Sequence, residues 1–381
     1  MRCLSVKKLS ENIGKRVMAD IEAGNISASA VTVCQSGEVL YRNFFGNELE
    51  GERAPIDAGT LFRLASMTKP ITAVAALILM EKGLISLDDE VEKYLPEFKN
   101  MQVITAVDGD SVKTEPSPVK PTVKHLLSHS SGIGSGQAIT HFTSKATLED
   151  KRSTQSYVSF LSRQPLSYVP GKGQEYSGVA AHDVLVALMQ SVIGEDYEQF
   201  IKREIFDKCE MKDTFFVPSE DQKRRIVGMH AKSEGKSVPG WVNEGCTFED
   251  FPSTHYLGGA GLVSSLDDYS NFARMLLAGG EFGGERIIAQ ESVKLMSSAL
   301  IPWEIMPTNW SWGLSVRVIT KPDTHLPVGT YGWSGAYGSH FWIDPENEIT
   351  AVYMKNSRHD GGSGAVTSYN FELDVYASFE D

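Results

Sequence analysis

A chain of 381 residues, 41% hydrophobic and 22% charged, is long enough for two or three lobes and apolar enough for a large core. Its 36 basic and 49 acidic side chains leave a net charge of −13. No basic run stands out, so nothing draws it electrostatically to nucleic acid. The four cysteines (Cys3, Cys34, Cys209 and Cys246) form no Cys-x-x-Cys pair, which excludes a disulfide framework or a cysteine-rich zinc module.

The first dozen residues lack the apolar core of a signal peptide. The longest apolar run, Pro70 to Met80, is about half the roughly 20 residues a membrane span needs. A soluble, cytoplasmic protein without membrane contacts is expected, as a monomer or homodimer.

In chain order, Leu9, Ile13, Val17 and Ile21 make one apolar stripe on a helix that Gly24-Asn25 ends. A hairpin follows, Ala30 to Cys34 and Val39 to Phe45, turning at Ser36-Gly37. Helical patterns then dominate: 66–82, 122–128, 153–163, 178–193, 197–208, 266–278 and 290–298. Val107 to Asp110 and the prolines after it read as a small exposed hairpin and loop, and 217–260 as a second loop-rich stretch. Strands return at Trp312–Thr320, Tyr337–Ile343 and Ile349–Met354, before an amphipathic segment around 366–378. This predicts an α/β protein whose sheet is built from both chain ends and flanked by helices, with a helical domain inserted. The expected boundaries are 1–65 plus 305–381 for the sheet domain and 66–304 for the helical one, with excursions at 101–121 and 217–260. A cleft is expected between the two.

Ser-x-x-Lys occurs at Ser5/Lys8, Ser66/Lys69, Ser117/Lys120 and Ser233/Lys236, so the string alone carries little. Only Ser66 begins a strongly apolar helix, with Pro70 in its first turn and Gly83 as its stop. Residues three apart share a helix face, which brings the Lys69 amine to the Ser66 hydroxyl. The positive helix end and burial both disfavour the ammonium, and a neutral lysine beside a serine activates it as a nucleophile. Helix physics equally allows Ser66 to be a plain N-cap and Lys69 a solvated first-turn residue.

Further blocks decide between these. Phe62-Arg-Leu-Ala-Ser66-Met-Thr-Lys69, Leu84 to Asp89, Val91-x-x-Tyr94-Leu-Pro96, Leu126 to Gly132, Gly258 to Ser264 and Gly332 to Pro345 stand in the order of the serine β-lactamase and penicillin-binding-protein superfamily. The chain resembles that superfamily over residues from about 30 to 356, and within it the family VIII carboxylesterases. The resemblance implies a β-lactamase-like fold and a cofactor-free acyl-enzyme mechanism. Catalysis would fall to Ser66, Lys69 and Tyr176, with Tyr176 beside Lys69, the pair sharing the Ser66 proton. The family's Tyr-x-Asn motif is Tyr176-Ser177-Gly178 here, so the asparagine is missing and Ser177 falls among the substrate-binding residues.

The family's Lys-Thr-Gly motif is Trp333-Ser334-Gly335. By the resemblance, its lysine and threonine meet the carboxylate of penicillins and D-Ala-D-Ala peptides. A tryptophan cannot pair with an anion; it offers an apolar wall and one N–H. Trp333, Ser334 and Gly335 are therefore expected to bind an uncharged ester, with Gly335 letting an edge strand approach it. The backbone amides of Ser66 and Ala336 would form the oxyanion hole. The expected function is hydrolysis of small to medium carboxylic esters. A β-lactamase, D-Ala carboxypeptidase, D-aminopeptidase or acyltransferase is the alternative, with a silent binding module behind it.

Other signals weigh less. His125 and His129 have metal-binding spacing but no third ligand, so no metal is expected. Gly132 to Gly136 is a weak phosphate cradle, and Gly332-Trp-Ser334-Gly-Ala336 only mimics a nucleophile elbow. Trp303, Trp310 and Trp312 either line the acyl pocket or form a surface flap. His255, Tyr256 and His340 lie near the mouth without an assignable role.

Overall fold

The computed structural model describes residues 2–48, 54–240, 255–322, 325–362 and 364–380. Seven antiparallel strands form its main sheet: β1 (Ala28–Gln35), β2 (Glu38–Gly46), β3 (Trp310–Trp312), β4 (Arg317–Ile319), β5 (Tyr331–Ser334), β6 (His340–Asp344) and β7 (Ile349–Met354). Their order is β3-β4-β5-β6-β7-β1-β2, so β1 from the start of the chain pairs with β7 from its end. The expected β-lactamase-like fold, a sheet assembled from both chain ends, is what the chain adopts.

Alternation along these strands explains why both sheet faces are covered. Val31, Val33, Trp342, Ala351 and Tyr353 turn to one face, where they pack with the helix α1 (Val6–Glu22) and the C-terminal helix. Ala30, Phe341, Ile343, Val352 and Met354 turn to the other face, towards the helical region. There lies α2 (Thr68–Glu81), buried on every side from Thr68 to Leu79, together with α3 (Ala180–Ile193) and α4 (Leu266–Leu277). The C-terminal helix is α5 (Val366–Tyr376). A helix apolar all round has no solvent face to offer and becomes the centre of its domain.

Several expectations change in detail. The stretch Trp312–Thr320 is not one strand but the β3–β4 hairpin, because Ser315 adopts φ +65 and turns the chain. That turn docks on the helical region through Ser315, whose N–H reaches Leu127 O at 2.8 Å. Tyr337–Ser339 is a turn, with the strand beginning at His340. β5 is an interior strand rather than an edge, although β4 pairs only with its Tyr331 and Gly332. Its last two residues therefore face the cleft unpaired on that side. The exposed hairpin is real (Gln102–Asp108 with Ser111–Pro116). The second loop-rich stretch holds a short helix, Glu220–Arg225, and a hairpin, His230–Ser233 with Lys236–Pro239. Its remainder at 241–254, with Cys246, lies outside the described residues. No described helix is long and apolar enough to cross a membrane.

Candidate active site

Ser66 is placed by a backbone device that hydrophobic patterns do not reveal. Ala65 sits at φ +46, a left-handed conformation that costs a residue with a side chain about 1–3 kcal/mol. This kink converts the short strand Leu61–Arg63 into a turn of 3₁₀ helix, Ala65–Met67, that runs straight into α2. Neither helix start carries a side-chain cap bond, so Ser66 is not an N-cap. Its side chain opens instead onto a cavity of about 480 Å³.

Lys69 is fully buried, and three acceptors surround its amine. Nζ lies 3.1 Å from Ser66 Oγ, 2.6 Å from Gly178 O and 2.7 Å from Gly259 O. The two carbonyls take two N–H bonds and direct the remaining tetrahedral position at the serine. Along that last line the amine can donate to Oγ or take its proton. Gly258 and Gly259 explain why a carbonyl comes so close: a Cβ on them would stand 2.6 Å from His182 O and 2.9 Å from Gly178 O. At the position where the resemblance expects asparagine, Gly178 supplies its backbone oxygen.

Tyr176 lies beside Lys69, but face-on. Nζ is 4.9 Å from its ring centroid, and no described hydrogen bond joins its hydroxyl to Ser66 or Lys69. The hydroxyl instead accepts the Trp333 indole N–H at 3.2 Å. His129 and Trp312 hold the ring in place, with centroids at 4.6 and 5.7 Å. His129 also accepts the Ser177 N–H at Nδ1, 3.2 Å away, which pins the loop that delivers Tyr176.

The remaining expected residues divide. Trp333, Ser334 and Ala336 line the cavity together with Ser66 and Tyr176. The Ala336 N–H has no partner among the described residues, as an oxyanion donor requires. Ser177 is turned away: it is buried, and its Oγ accepts the Ala181 N–H at the start of α3. Gly335 matters for a different reason than expected. A Cβ there would lie 2.3 Å from Leu64 O, so the glycine lets the end of β5 close on the residues preceding Ser66 rather than on a substrate.

The aromatic and histidine residues weighed from the sequence also find their places. Met306, Trp310 and Trp312 form the cavity wall, whereas Trp303 is half exposed beneath Lys321. His125 caps its own short helix, and His255 pairs with the buried Asp183 at 3.2 Å. His340 holds Ser334, a contact no sequence pattern announced. None of the described lining residues is charged. The two cations that the neighbouring end strands offer are engaged elsewhere, Arg317 with Glu372 and Lys355 with Asp360.

Burial, followed by the Lys69 charge, holds His129 and His182 well below the ordinary histidine pKa. Burial likewise pulls His230 down to about 4.

A family profile described as Beta-lactamase matches residues 14–372. Protein Rv1367c of Mycobacterium tuberculosis is 31% identical over 350 residues, 87% of this chain and 86% of that protein. Esterase EstB of Burkholderia gladioli is 28% identical, over 88% of this chain and 87% of its own. Among solved structures, EstCE1, a hydrolase with promiscuous acyltransferase activity, superposes with a TM-score of 0.81. It covers 97% of this chain and 99% of its own at 24% identity, a likeness of fold.

Two predictions follow from this geometry. Gly335→Ala forces apart Leu64 and the β5 end, so ester turnover should fall at least about tenfold while the far-UV spectrum is kept; unchanged turnover would contradict the close approach. The second concerns acid. Unfolded histidines take up protons below about pH 6.5, whereas His129, His182 and His230 stay neutral when folded, so Tm should fall from about pH 7 to about pH 5. Burial lowers His125 in the same sense, whereas the carboxyls that burial raises, Asp183, Glu198, Asp268 and Asp374, oppose the fall from an ordinary pKa of about 4. A flat or rising Tm over that interval would refute the assignment.

Proposed function

Because the chain belongs to the beta-lactamase family, whose fold carries serine hydrolases, we propose that it hydrolyses carboxylic esters of small to medium uncharged acyl groups through an acyl-enzyme on Ser66. Trp333 is the observation that carries this reading. At the place where a carboxylate-binding site needs a cation, an indole spends its one N–H on Tyr176 and gives the cavity an apolar face. Trp310, Trp312 and Met306 extend that face, and among the described lining residues no cation replaces the missing lysine. Esterase EstB, over most of both chains, bears a name in keeping with this chemistry.

In this mechanism Ser66 Oγ attacks the ester carbonyl as its proton moves to Lys69 Nζ. The backbone N–H groups of Ser66 and Ala336 receive the charge that develops on the carbonyl oxygen. Tyr176, set against Lys69 and oriented by the Trp333 N–H, gives its hydroxyl proton to the departing alkoxide and regains one from the Lys69 ammonium. Water then enters the cavity and attacks the acyl carbon as Lys69 with Tyr176 takes its proton. That proton passes to Ser66 Oγ as the C–O bond to the acyl group breaks, which releases the acid and restores the serine hydroxyl. The aromatic wall lowers the local polarity, which strengthens each of these interactions.

The test compares wild type with Ser66→Ala on nitrophenyl butyrate and on nitrocefin. Wild type should release nitrophenol with nitrocefin slow or inert, and Ser66→Ala should lose at least about a thousandfold in kcat. Nitrocefin turnover faster than ester turnover would move the substrate to β-lactams or peptides. Full ester turnover by Ser66→Ala would remove the nucleophile assignment.

A further inference from the structure

Ser334 and His340 form a cross-strand pair at the cavity end of β5 and β6. Ser334 Oγ lies 2.8 Å from His340 Nδ1, and His340 Nε2 lies 2.8 Å from Glu372 Oε1 on α5. The other carboxylate oxygen is 2.6 Å from His325 Nε2, and Arg317 stands 3.5 Å from Oε1. Ser334, His340 and Glu372 are at most 6% exposed, yet Ser334 lines the same cavity as Ser66. A file of buried polar groups thus runs from α5, on the far face of the sheet, to the wall of the site.

The proton positions along this file follow from its end. Burial alone would raise Glu372, but hydrogen bonds from His325 and His340, with the Arg317 charge, hold its carboxyl well below the usual range. An ionised carboxylate only accepts, so His340 carries its hydrogen on Nε2. That tautomer leaves Nδ1 as a bare lone pair, to which the Ser334 O–H donates. A serine hydroxyl ordinarily rotates to suit its partner. This one is locked, with its hydrogen turned inward and its oxygen left as an acceptor.

We infer that Ser334 is an acceptor subsite, and that the substrate carries a neutral hydrogen-bond donor, a hydroxyl or amide N–H, close to the scissile ester. The inference rests on the esterase reading above and names its substrate class. A carboxylate at this subsite would meet oxygen lone pairs, with the Glu372 charge behind them. The polarity is therefore opposite to that of a hydroxyl that donates to a substrate anion. Ser334 touches the substrate; His340 and Glu372 are positioning residues.

The experiment uses two ester series and reads ratios of kcat/KM. On the acyl side, nitrophenyl β-hydroxybutyrate is compared with nitrophenyl butyrate and the nitrophenyl monoester of succinate. On the alcohol side, hydroxyethyl butyrate is compared with propyl butyrate and butyryl glycolate. In at least one series wild type should favour the hydroxylated ester about tenfold over the plain one, the size of one neutral hydrogen bond, and disfavour the carboxylate. His340→Asn offers its Oδ1 where Nδ1 was, so it should keep that ratio within about threefold. His340→Gln reaches Glu372 instead of Ser334, so its ratio should drop about tenfold, mainly through KM. Both variants disturb the core alike, so a purely structural role would move them together.

Equal treatment of hydroxylated and plain esters in both series would overturn the inference, as would preference for the carboxylate or equal ratios in the two His340 variants. Ser66-dependent turnover without a hydroxyl preference removes this inference alone. Wild type inert towards every ester removes it together with the esterase reading.

Discussion

The site is organised around one amine held inside the protein. Lys69 is fully buried, and a buried amine must satisfy its N–H groups or lose several kcal/mol of solvation. The carbonyls of Gly178 and Gly259 do this, and each comes from a different segment. One belongs to the loop that delivers Tyr176 and leads into α3; the other belongs to the loop before the short strand Val263–Ser265. Meeting the needs of Lys69 therefore locks α2, α3 and two loops into one arrangement, and Ser66 occupies the direction left over. The close glycine contacts at 258 and 259 bring backbone to backbone around this group.

A second constraint is the aromatic wall. Trp312 and Trp333 meet edge-on at 4.5 Å, and Tyr176 packs against both. The indole N–H of Trp333 ends on the Tyr176 hydroxyl, so the wall and the proposed proton-transfer group form one unit. His129 supports that unit from beneath, and its burial keeps it a neutral acceptor for the Ser177 N–H. Met306 and the three tryptophans give the cavity an apolar wall, and its polar groups are those of Ser66, Gln174, Tyr176 and Ser334 with the backbone amide of Ala336. That arrangement suits the proposed ester hydrolysis: one place for charge to develop, beside a wall that excludes water.

The sheet connects this centre to the ends of the chain. Trp333 and Ser334 are neighbours on β5 whose side chains turn to opposite faces. Trp333 packs into the aromatic wall, while Ser334 meets the same cavity at the end of the strand and is tied through His340 to Glu372 on α5. The terminal helices thus take part in setting the polarity of the cavity as well as covering the sheet.

The sequence alone determined the fold class and the candidate nucleophile. Alternating apolar strands at both chain ends, an unbroken apolar helix after Ser66 and the ordered motif blocks leave little freedom in how the core is buried. Ser66 and Lys69 were legible because their spacing is local, one helical turn. The tertiary structure decided everything that depends on distant partners. Ser177 reads as a pocket residue from its place beside Tyr176, but the start of α3 claims its hydroxyl. Tyr176 reads as a partner bonded to Lys69, but Trp333, 157 residues away, holds its hydroxyl. His340 showed no role because its partners, Ser334 and Glu372, become neighbours only once β5, β6 and α5 have assembled. Periodicity reports which face a residue takes; only the packed chain reports which atom waits on that face.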